Sequence, residues 1–144
     1  MGKIIAICLS EGKGTAKRAV GSAELLRNHG LVGDAHAGEW HRQVSLLSLE
    51  KVDDFRERGA NVIDGDFGEN LVVSGIDFRS LPVGTHYRSG DVLLEMTQIG
   101  KECHHGCAIF QAMGDCIMPR EGVFCRVLQG GTLHTGDEIN IEEG

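Results

Sequence analysis

A cluster of thiol, imidazole and amine side chains follows the strand-like run at residues 92–97. Its members are Lys101, Glu102, Cys103, His104, His105 and Cys107. Cationic neighbours favour the thiolate, which is the form of a cysteine that reacts and binds metals. Glu102 has the opposite effect, because a carboxylate disfavours a second anion nearby. A glycine-containing loop after a strand is also a usual place for a site. We therefore predict that Cys103 is the functional thiol.

The other cysteines bear on the compartment and on the role of Cys103. Five cysteines are present, an odd number that matches no secreted disulfide framework. Cys8 and Cys125 lie in apolar runs, so we expect both to be buried as small hydrophobic residues. Free thiols indicate a reducing, cytoplasmic location.

Two alternatives remain open for the same cluster. A structural zinc or iron site could use Cys103, His104 or His105, Cys107 and Cys116 as its four ligands. The usual second paired knuckle of such sites is missing. A disulfide between Cys103 and Cys107 is the other alternative, although its spacing differs from the Cys-x-x-Cys of thioredoxins.

Length and composition predict one globular domain over residues 1–144. The net charge of −7 argues against nonspecific nucleic-acid binding, which needs a basic face. We expect no secretory signal, and no apolar run reaches transmembrane length, so no membrane partner is predicted. The 21 glycines and 2 prolines indicate many tight turns, as in a β-barrel.

The elements that position the cluster are mostly predicted strands. Apolar and β-branched runs predict strands at residues 3–9, 42–47, 71–73, 92–97 and 123–128. One helix is predicted over residues 49–58, with Ser48 as its N-cap. Residues 19–28 and 107–113 are assigned as short helices, the first with an irregular segment as alternative. The predicted fold class is mainly β, a barrel with a few short helices.

Two segments near the end of the chain have a similar pattern. Residues 84–95 and 131–142 each read as strand, Gly-Asp turn and strand. This pattern predicts two β-hairpins. In the second, Ile139 and Ile141 alternate with polar residues, as on a half-buried strand.

Polar side chains are concentrated on a glycine-rich loop at residues 30–42. Asp34, His36, His41 and Arg42 lie close together there and indicate a polar pocket. Further along the chain, Glu69 and Asn70 lead into a strand, and we expect them to fix loops by hydrogen bonds. The basic cluster of Lys13, Lys17 and Arg18 is interpreted as a solvated loop.

Taken in order, these motifs resemble the MOSC domain, which is found at the C-terminus of molybdenum cofactor sulfurases and in small stand-alone bacterial proteins. The resemblance rests on residues 30–38 (GLVGDAHAG), 42–46 (RQVSL), 65–71 (GDFGENL), 81–84 (LPVG), 90–91 (GD), 98–103 (QIGKEC), 119–124 (PREGVF) and 136–137 (GD). Each motif is short, but their order along nearly the whole chain is specific.

The resemblance implies a MOSC-type β-barrel that binds the molybdenum cofactor (molybdopterin), a pterin with a dithiolene and a phosphate. The hallmark cysteine of the family falls on Cys103, which would ligate molybdenum or carry sulfur as a persulfide. The implied partner is a pyridoxal-phosphate cysteine desulfurase or another protein of cofactor biosynthesis. Some relatives are instead molybdenum-dependent reductases of N-hydroxylated compounds.

The resemblance also implies a set of binding residues. The cofactor-binding candidates are His36, Arg42, Glu69, Asn70, Lys101, Cys103 and Arg120. Molybdenum in a dithiolene is a soft centre, for which a thiolate is a suitable ligand, so Cys103 is the metal and catalytic candidate. A pterin phosphate needs a guanidinium or an ammonium group, for which Arg126 is a further candidate.

Overall fold

The computed structural model describes residues 2–12, 17–100 and 121–142. The strands of the first half are β1 (Gly2–Leu9), β2 (Arg18–Val20), β3 (Ser22–Leu26), β4 (Gly30–Leu31), β5 (Val44–Ser48) and β6 (Leu71–Ser74). Those of the second half are β7 (His86–Ser89), β8 (Val92–Ile99), β9 (Val123–Gln129), β10 (Gly131–His134) and β11 (Glu138–Glu142). Helix α1 spans Leu49–Glu57, and a 3-10 turn spans Phe78–Ser80.

Seven strands close into a barrel. Their order is β11, β7, β8, β9, β5, β6 and β1, and β1 pairs back to β11. The first half of β1 pairs with β11 and its second half with β2, which adds a short strand outside the ring. Strands β5 and β6 are parallel, which requires a crossover, and α1 provides it. The fold is thus mainly β, as predicted. A second sheet contains β10, β3 and β4.

The barrel interior is filled by alternate residues of its strands. On β8, Val92, Leu94 and Met96 are buried and alternate with partly exposed neighbours. This period of two is what a strand with one face on a core requires. The largest buried ring, that of Tyr87, packs edge to face against Phe78 with 5.3 Å between ring centroids. The barrel therefore has a packed core rather than a channel.

Helix α1 covers the outside of the barrel and confirms the predicted helix. Val52 and Phe55 lie on its buried face, against Leu47 of β5 and Phe124 of β9. Ser48 is the N-cap residue, as predicted, but its side chain makes no capping hydrogen bond. Its hydroxyl instead donates to the Ile76 carbonyl at 2.6 Å.

The structure corrects the assignment of residues 19–28. They form β2 and β3 instead of a short helix, and Ala23 and Leu25 are buried while their neighbours on β3 are exposed. The β3 strand pairs with β10 on one side and β4 on the other. A five-residue run is too short for the spacing of its apolar residues to distinguish a strand from a helix. Its structure is decided by pairing with strands elsewhere in the chain.

The two predicted hairpins have different outcomes. Strands β7 and β8 form the first hairpin, with Ser89 opposite Val92. The second prediction was wrong, because β10 pairs with β3 whereas β11 pairs with β7 and β1. The turn at Gly136 is bonded to β1, where Gly136 donates to the Ile4 carbonyl at 2.7 Å. It is thus a corner between two sheets, and Ile141 is 45% exposed.

Helix length and composition also bear on membranes. Among residues 2–12, 17–100 and 121–142, no helix is long and apolar enough to span a bilayer. The short helix predicted at residues 107–113 lies outside the described residues.

The loop before β6 packs tightly on the segment before β2. Gly65 has a φ of +95°, and a Cβ atom there would lie 2.3 Å from the Lys17 carbonyl oxygen. Gly68 has a similar φ of +80°, but a Cβ atom there would meet no atom within 4 Å. Only Gly65 is therefore required for the close approach of the two segments.

We predict that Gly65→Ala destabilises the protein more than Gly68→Ala. Both variants bear the cost of a left-handed conformation, about 1–2 kcal/mol. Gly65→Ala bears in addition a backbone clash, which adds about 1–3 kcal/mol when it forces displacement. Urea unfolding followed by circular dichroism measures both. Equal losses of unfolding free energy would show that the contact with the Lys17 carbonyl carries no constraint.

Candidate functional site

A cavity of about 260 Å³ opens where β5, β6 and β9 begin. The residues that line it are His36, Trp40, Arg42, Ser45, Gly68, Asn70 and Phe124. The loop between β4 and β5 supplies three of these side chains. Loops held by a rigid scaffold are the usual carriers of binding groups.

A buried ion pair lies behind the cavity. Lys17 Nζ is 2.7 Å from Asp34 Oδ1, and the side chains are only 2% and 0% exposed. Asp34 also accepts hydrogen bonds from the Ser10 amide at 3.0 Å and from Asn70 Nδ2 at 3.2 Å. Burial by itself raises the pKa of Asp34, but the bonds from Lys17, Ser10 and Asn70 outweigh it, so that its pKa lies below the ordinary value. Asp34 is thus an ionised carboxylate held by three segments of the chain.

The same lysine reaches the cavity through His36. Lys17 Nζ lies 3.0 Å from Nδ1 of His36. The backbone carbonyl of His36 accepts a hydrogen bond of 2.8 Å from the Trp40 indole. The imidazole is therefore positioned from both its ring and its backbone.

Asn70 joins three strands. Its Oδ1 accepts from the Ser45 amide at 2.9 Å and from the Ser45 hydroxyl at 3.2 Å. Its Nδ2 donates to the Cys8 carbonyl at 3.0 Å as well as to Asp34. The predicted role of Asn70 in fixing loops by hydrogen bonds is thus confirmed.

Glu69 organises the loop in front of β6 and is not among the cavity-lining residues. Its side-chain oxygens accept hydrogen bonds from the Gly65 amide at 3.0 Å and the Phe67 amide at 3.1 Å. The residue is 1% exposed. Burial raises the pKa of Glu69 from 4.5 to about 7, against the opposing effect of these backbone donors. Glu69 therefore fixes the position of the loop that contains Gly68, also as predicted.

Arg42 supplies the positive charge of the cavity. Its guanidinium lies 5.2 Å from the ring centroid of Phe124 and 5.9 Å from that of Trp40, which are cation–π distances. Its Nε donates to Gln98 Oε1 at 3.1 Å. Among the described residues no acceptor bonds its two terminal nitrogen atoms. His41 lies 2.9 Å from the same Gln98 oxygen and does not line the cavity.

The segment with the predicted thiol site lies outside the described residues. This applies to Lys101, Cys103 and Arg120, and also to the alternative ligands His104, His105, Cys107 and Cys116. The strands on either side of it are described, and the Gly100 amide donates to the Gly122 carbonyl at 2.6 Å. Gln98, which holds Arg42, lies two residues before this closure. The described residues Gly100 and Gly122 are therefore joined to each other close to Gln98 and Phe124.

The remaining candidates lie away from the cavity. Arg126 is on the outer surface of the barrel, where Nη2 is 2.6 Å from Glu95. Within the described parts of the chain, no three His, Cys, Asp or Glu side chains are arranged to bind a metal. Cys8 and Cys125 are buried, as predicted, and burial raises the pKa of both thiols, that of Cys8 to about 12. Neither is a reactive thiol.

Sequence reasoning missed Lys17, which was interpreted as solvated and is buried. No local pattern separates it from its neighbour Arg18. Arg18 forms an ion pair with Glu11, and the side chains of the two are 73% and 82% exposed. Trp40 and Phe124 were also missed. The single tryptophan of the chain, 41% exposed on a glycine-rich loop, was the available signal.

Comparisons with known proteins identify a family and a fold. Residues 33–140 match the MOSC domain family model. A protein of Gibberella moniliformis described as a reductase is 31% identical over 127 residues. The match covers 79% of this chain and only 23% of the length of that relative.

Solved structures match over nearly the whole chain. The YuaD protein from Bacillus subtilis has a TM-score of 0.79 at 21% identity, over 96% of this chain and 94% of its own. YiiM from Geobacillus stearothermophilus has a TM-score of 0.76 at 21% identity, over 99% of this chain and 76% of its own. YiiM from Escherichia coli has a TM-score of 0.70 at 17% identity, over 100% of this chain and 71% of its own. These similarities establish the fold.

We predict that Lys17→Met strongly destabilises the protein, whereas Arg18→Met leaves stability close to that of the wild type. Removing one partner of a buried pair leaves an uncompensated charge and costs about 3–5 kcal/mol. The neighbouring pair is solvated and contributes little. Chemical unfolding of both variants at neutral pH is the measurement. Similar losses in the two variants would contradict the structural role of the Lys17–Asp34 pair.

The raised pKa of Glu69 predicts a pH-dependent stability. The folded protein retains this proton up to about pH 7, while the unfolded chain releases it near 4.5. The stabilisation is therefore present below pH 4.5 and is lost as the pH rises through 7, a change of about 3 kcal/mol. The difference in unfolding free energy between wild type and Glu69→Gln should shrink from pH 5 to pH 8. A difference that stays constant with pH would contradict the raised pKa.

Proposed function

This chain belongs to the MOSC domain family, and from that premise we propose that its cavity binds the molybdenum cofactor beside Cys103. The observation that carries the proposal is Arg42, whose guanidinium lies in the cavity with its terminal nitrogens open among the described residues. The cofactor is an anion with a flat ring. A partly buried cation next to aromatic faces suits both of these properties.

The residues present fit the parts of the cofactor. A phosphate prefers a guanidinium that can donate two parallel hydrogen bonds, and Arg42 offers its terminal groups for this. A pterin ring packs well on an aromatic face, and Trp40 and Phe124 line the cavity. The volume of about 260 Å³ lies just below the range for small-molecule sites, about 300–1,000 Å³.

The position of the cavity supports Cys103 as the thiol of the site. Cys103 follows Gly100 by three residues, and three residues span about 10 Å at most. Gly100 is tied to the cavity wall, because its carbonyl accepts a bond of 2.7 Å from Gln98 Nε2. When bound, the cofactor supplies a soft molybdenum centre for which a thiolate is a suitable ligand. The protein would supply the thiol, the cation and the exclusion of water around them.

We further propose that the protein acts in the sulfuration or use of the cofactor, with Cys103 either ligating molybdenum or carrying sulfur as a persulfide. The sulfur would come from a pyridoxal-phosphate cysteine desulfurase or another protein of cofactor biosynthesis. The second candidate function is a molybdenum-dependent reductase of N-hydroxylated compounds. The fungal relative described as a reductase favours it. An electron donor would then be needed, and the chain spans only 23% of that relative.

We predict that the protein purified from a cofactor-producing host contains molybdenum and pterin. Cys103→Ala should lose molybdenum, since its ligand is gone. Arg42→Ala should lower the pterin content at least tenfold, because a hydrogen-bonded charge contributes about 1.5–3 kcal/mol. Arg88→Ala is the matched control, since Arg88 pairs with Glu142 on β11, away from the cavity. Metal analysis and pterin fluorescence after oxidation measure both components.

The alternatives give different results in the same experiment. Wild-type protein without molybdenum and pterin would reject stable cofactor binding. Stoichiometric zinc that depends on Cys103 and Cys107 would support the structural metal site instead. A mass increase of one sulfur atom on Cys103, without metal, would support the carrier function over metal ligation.

A further inference from the structure

We propose that Gln98 is a positioning residue whose amide holds the Arg42 guanidinium without neutralising it, so that the cavity keeps a positive charge for an anion such as a phosphate. The inference rests on the proposed function and deepens it, because it names the group that prepares Arg42 for a ligand. Gln98 is not among the cavity-lining residues. Its effect on a ligand therefore passes through Arg42.

Arg42 differs from most arginines of the chain in the group that holds it. Its Nε donates to the Gln98 amide oxygen at 3.1 Å, and it forms no ion pair among the described residues. The arginines that pair with a carboxylate oxygen at 3.6 Å or less are Arg18, Arg56, Arg79, Arg88 and Arg126. An amide accepts a hydrogen bond but has no charge. Arg42 is therefore held in place with its charge uncompensated.

The bond from Nε also leaves the terminal nitrogens of Arg42 for a ligand. A guanidinium is planar, and its donors point in set directions, so a bond at Nε orients the rest of the group. The ring centroids of Phe124 and Trp40, 5.2 and 5.9 Å away, confine it further. Two donors held in this way suit an anion that has two oxygens on one atom.

The hydrogen-bond network fixes which way the Gln98 amide points. Arg42 Nε is a donor with no acceptor capacity, so the atom that faces it must be the amide oxygen. The amide nitrogen then faces the Gly100 carbonyl and donates to it at 2.7 Å. Gln98 thus uses both halves of its amide. Neither a carboxylate nor an apolar side chain can make the same two bonds.

A β-bulge places Gln98 beside Arg42. The register of β8 against β9 shifts between Met96 and Gln98, so Thr97 has no partner of its own on β9. Bulges redirect side chains and are common next to functional sites. Here the Thr97 hydroxyl donates to the His41 carbonyl, and the amide of the next residue reaches Arg42. The bulge therefore holds both the backbone and the side chain of the segment that carries the cation.

Two substitutions of Gln98 separate the position of the cation from its charge. Gln98→Glu retains an acceptor for Arg42 Nε, but it adds a negative charge beside the guanidinium and removes the donor to the Gly100 carbonyl. Gln98→Leu removes the acceptor and adds no charge. A role in packing alone would predict that the apolar variant and the charged variant affect the cavity without regard to Arg42.

The first test reads the position of Arg42 in protein from a host that makes no molybdenum cofactor. A hydrogen-bonded Nε–H exchanges slowly with water and gives a sharp ¹H–¹⁵N peak, which Arg42→Lys identifies by its loss. We expect this peak in the wild type and in Gln98→Glu, and its broadening or loss in Gln98→Leu. The Nε–H peak of Arg88, which pairs with Glu142 on β11, is the internal control.

Two results of this test would overturn the positioning role. One is an Arg42 peak that is absent from the wild type, and the other is a peak that is unchanged in Gln98→Leu. If Gln98→Leu does not fold, the wild-type peak still decides whether Nε is held, and the comparison of the wild type with Gln98→Glu below decides the role of the neutral amide.

The second test reads the charge that Arg42 offers to a ligand. Trp40 is the single tryptophan of the chain and lies 5.9 Å from the guanidinium, so its fluorescence reports a ligand bound there. Inorganic phosphate is titrated into the same cofactor-free protein at constant ionic strength, because salt screens exposed charges. We expect the phosphate affinity to fall at least tenfold in Gln98→Glu, since a carboxylate then competes for the guanidinium. In Gln98→Leu it should fall less, because Arg42 remains uncompensated.

Gln129→Glu is the matched control for the added charge. It makes the same substitution at an exposed residue, at the other end of β9 from Phe124 and roughly 17 Å from it along the strand. Its phosphate affinity should stay within about twofold of the wild type, as expected for a screened surface charge. Equal affinities of the wild type and Gln98→Glu, or equal losses in the two glutamate variants, would contradict the proposal. So would a wild-type protein that gives no response to phosphate.

The inference and the proposed function can fail separately. Phosphate binding that depends on Gln98, in a protein that acquires no molybdenum or pterin from a cofactor-producing host, would reject the proposed function and support the inference. A protein that acquires the cofactor, but whose Gln98→Glu variant keeps its phosphate affinity, would support the proposed function and reject the inference.

Discussion

The buried charge of Asp34 is the constraint on which the site depends. An ionised carboxylate with no exposed side-chain surface is tolerated only when hydrogen bonds replace its lost hydration. These bonds come from the end of β1 at Ser10, from Lys17 before β2 and from Asn70 at β6. Because the donors belong to distant parts of the chain, Asp34 ties its own loop to the barrel at three points. The loop that carries His36, Trp40 and Arg42 begins at this anchor.

The cavity is built in two layers with different tasks. The outer layer contains Arg42 and the aromatic rings, which offer charge and flat surface to a ligand. The inner layer contains Lys17, Asp34 and Asn70, whose polar atoms bond to one another and to the backbone. A ligand would displace water from the outer layer and leave the inner one intact. Such preorganisation lowers the reorganisation that binding requires.

The parts of the fold that sequence reasoning predicted are those with local causes. Strand β1, helix α1 and the first hairpin have periodicity or turn residues that lie within a few positions of one another. The prediction of the last hairpin was wrong because Gly136 bonds to β1, more than 130 residues earlier in the chain. The prediction that Lys17 is solvated was wrong for a related reason. Its burial depends on Asp34 and on the close approach of Gly65. A solvated lysine and a buried one have the same local sequence pattern.

The pairing that closes the barrel also brings the first and last strands together. Gly2 lies opposite Ile139, so the first and last strands run side by side. A polypeptide that enters through β1 and leaves through β11 would cross the surface at nearly one place. Such a module can be inserted into a longer host protein through a single surface loop, or circularly permuted with a short linker, without opening the core. Barrel closure therefore places the connections into and out of the domain next to each other on its surface.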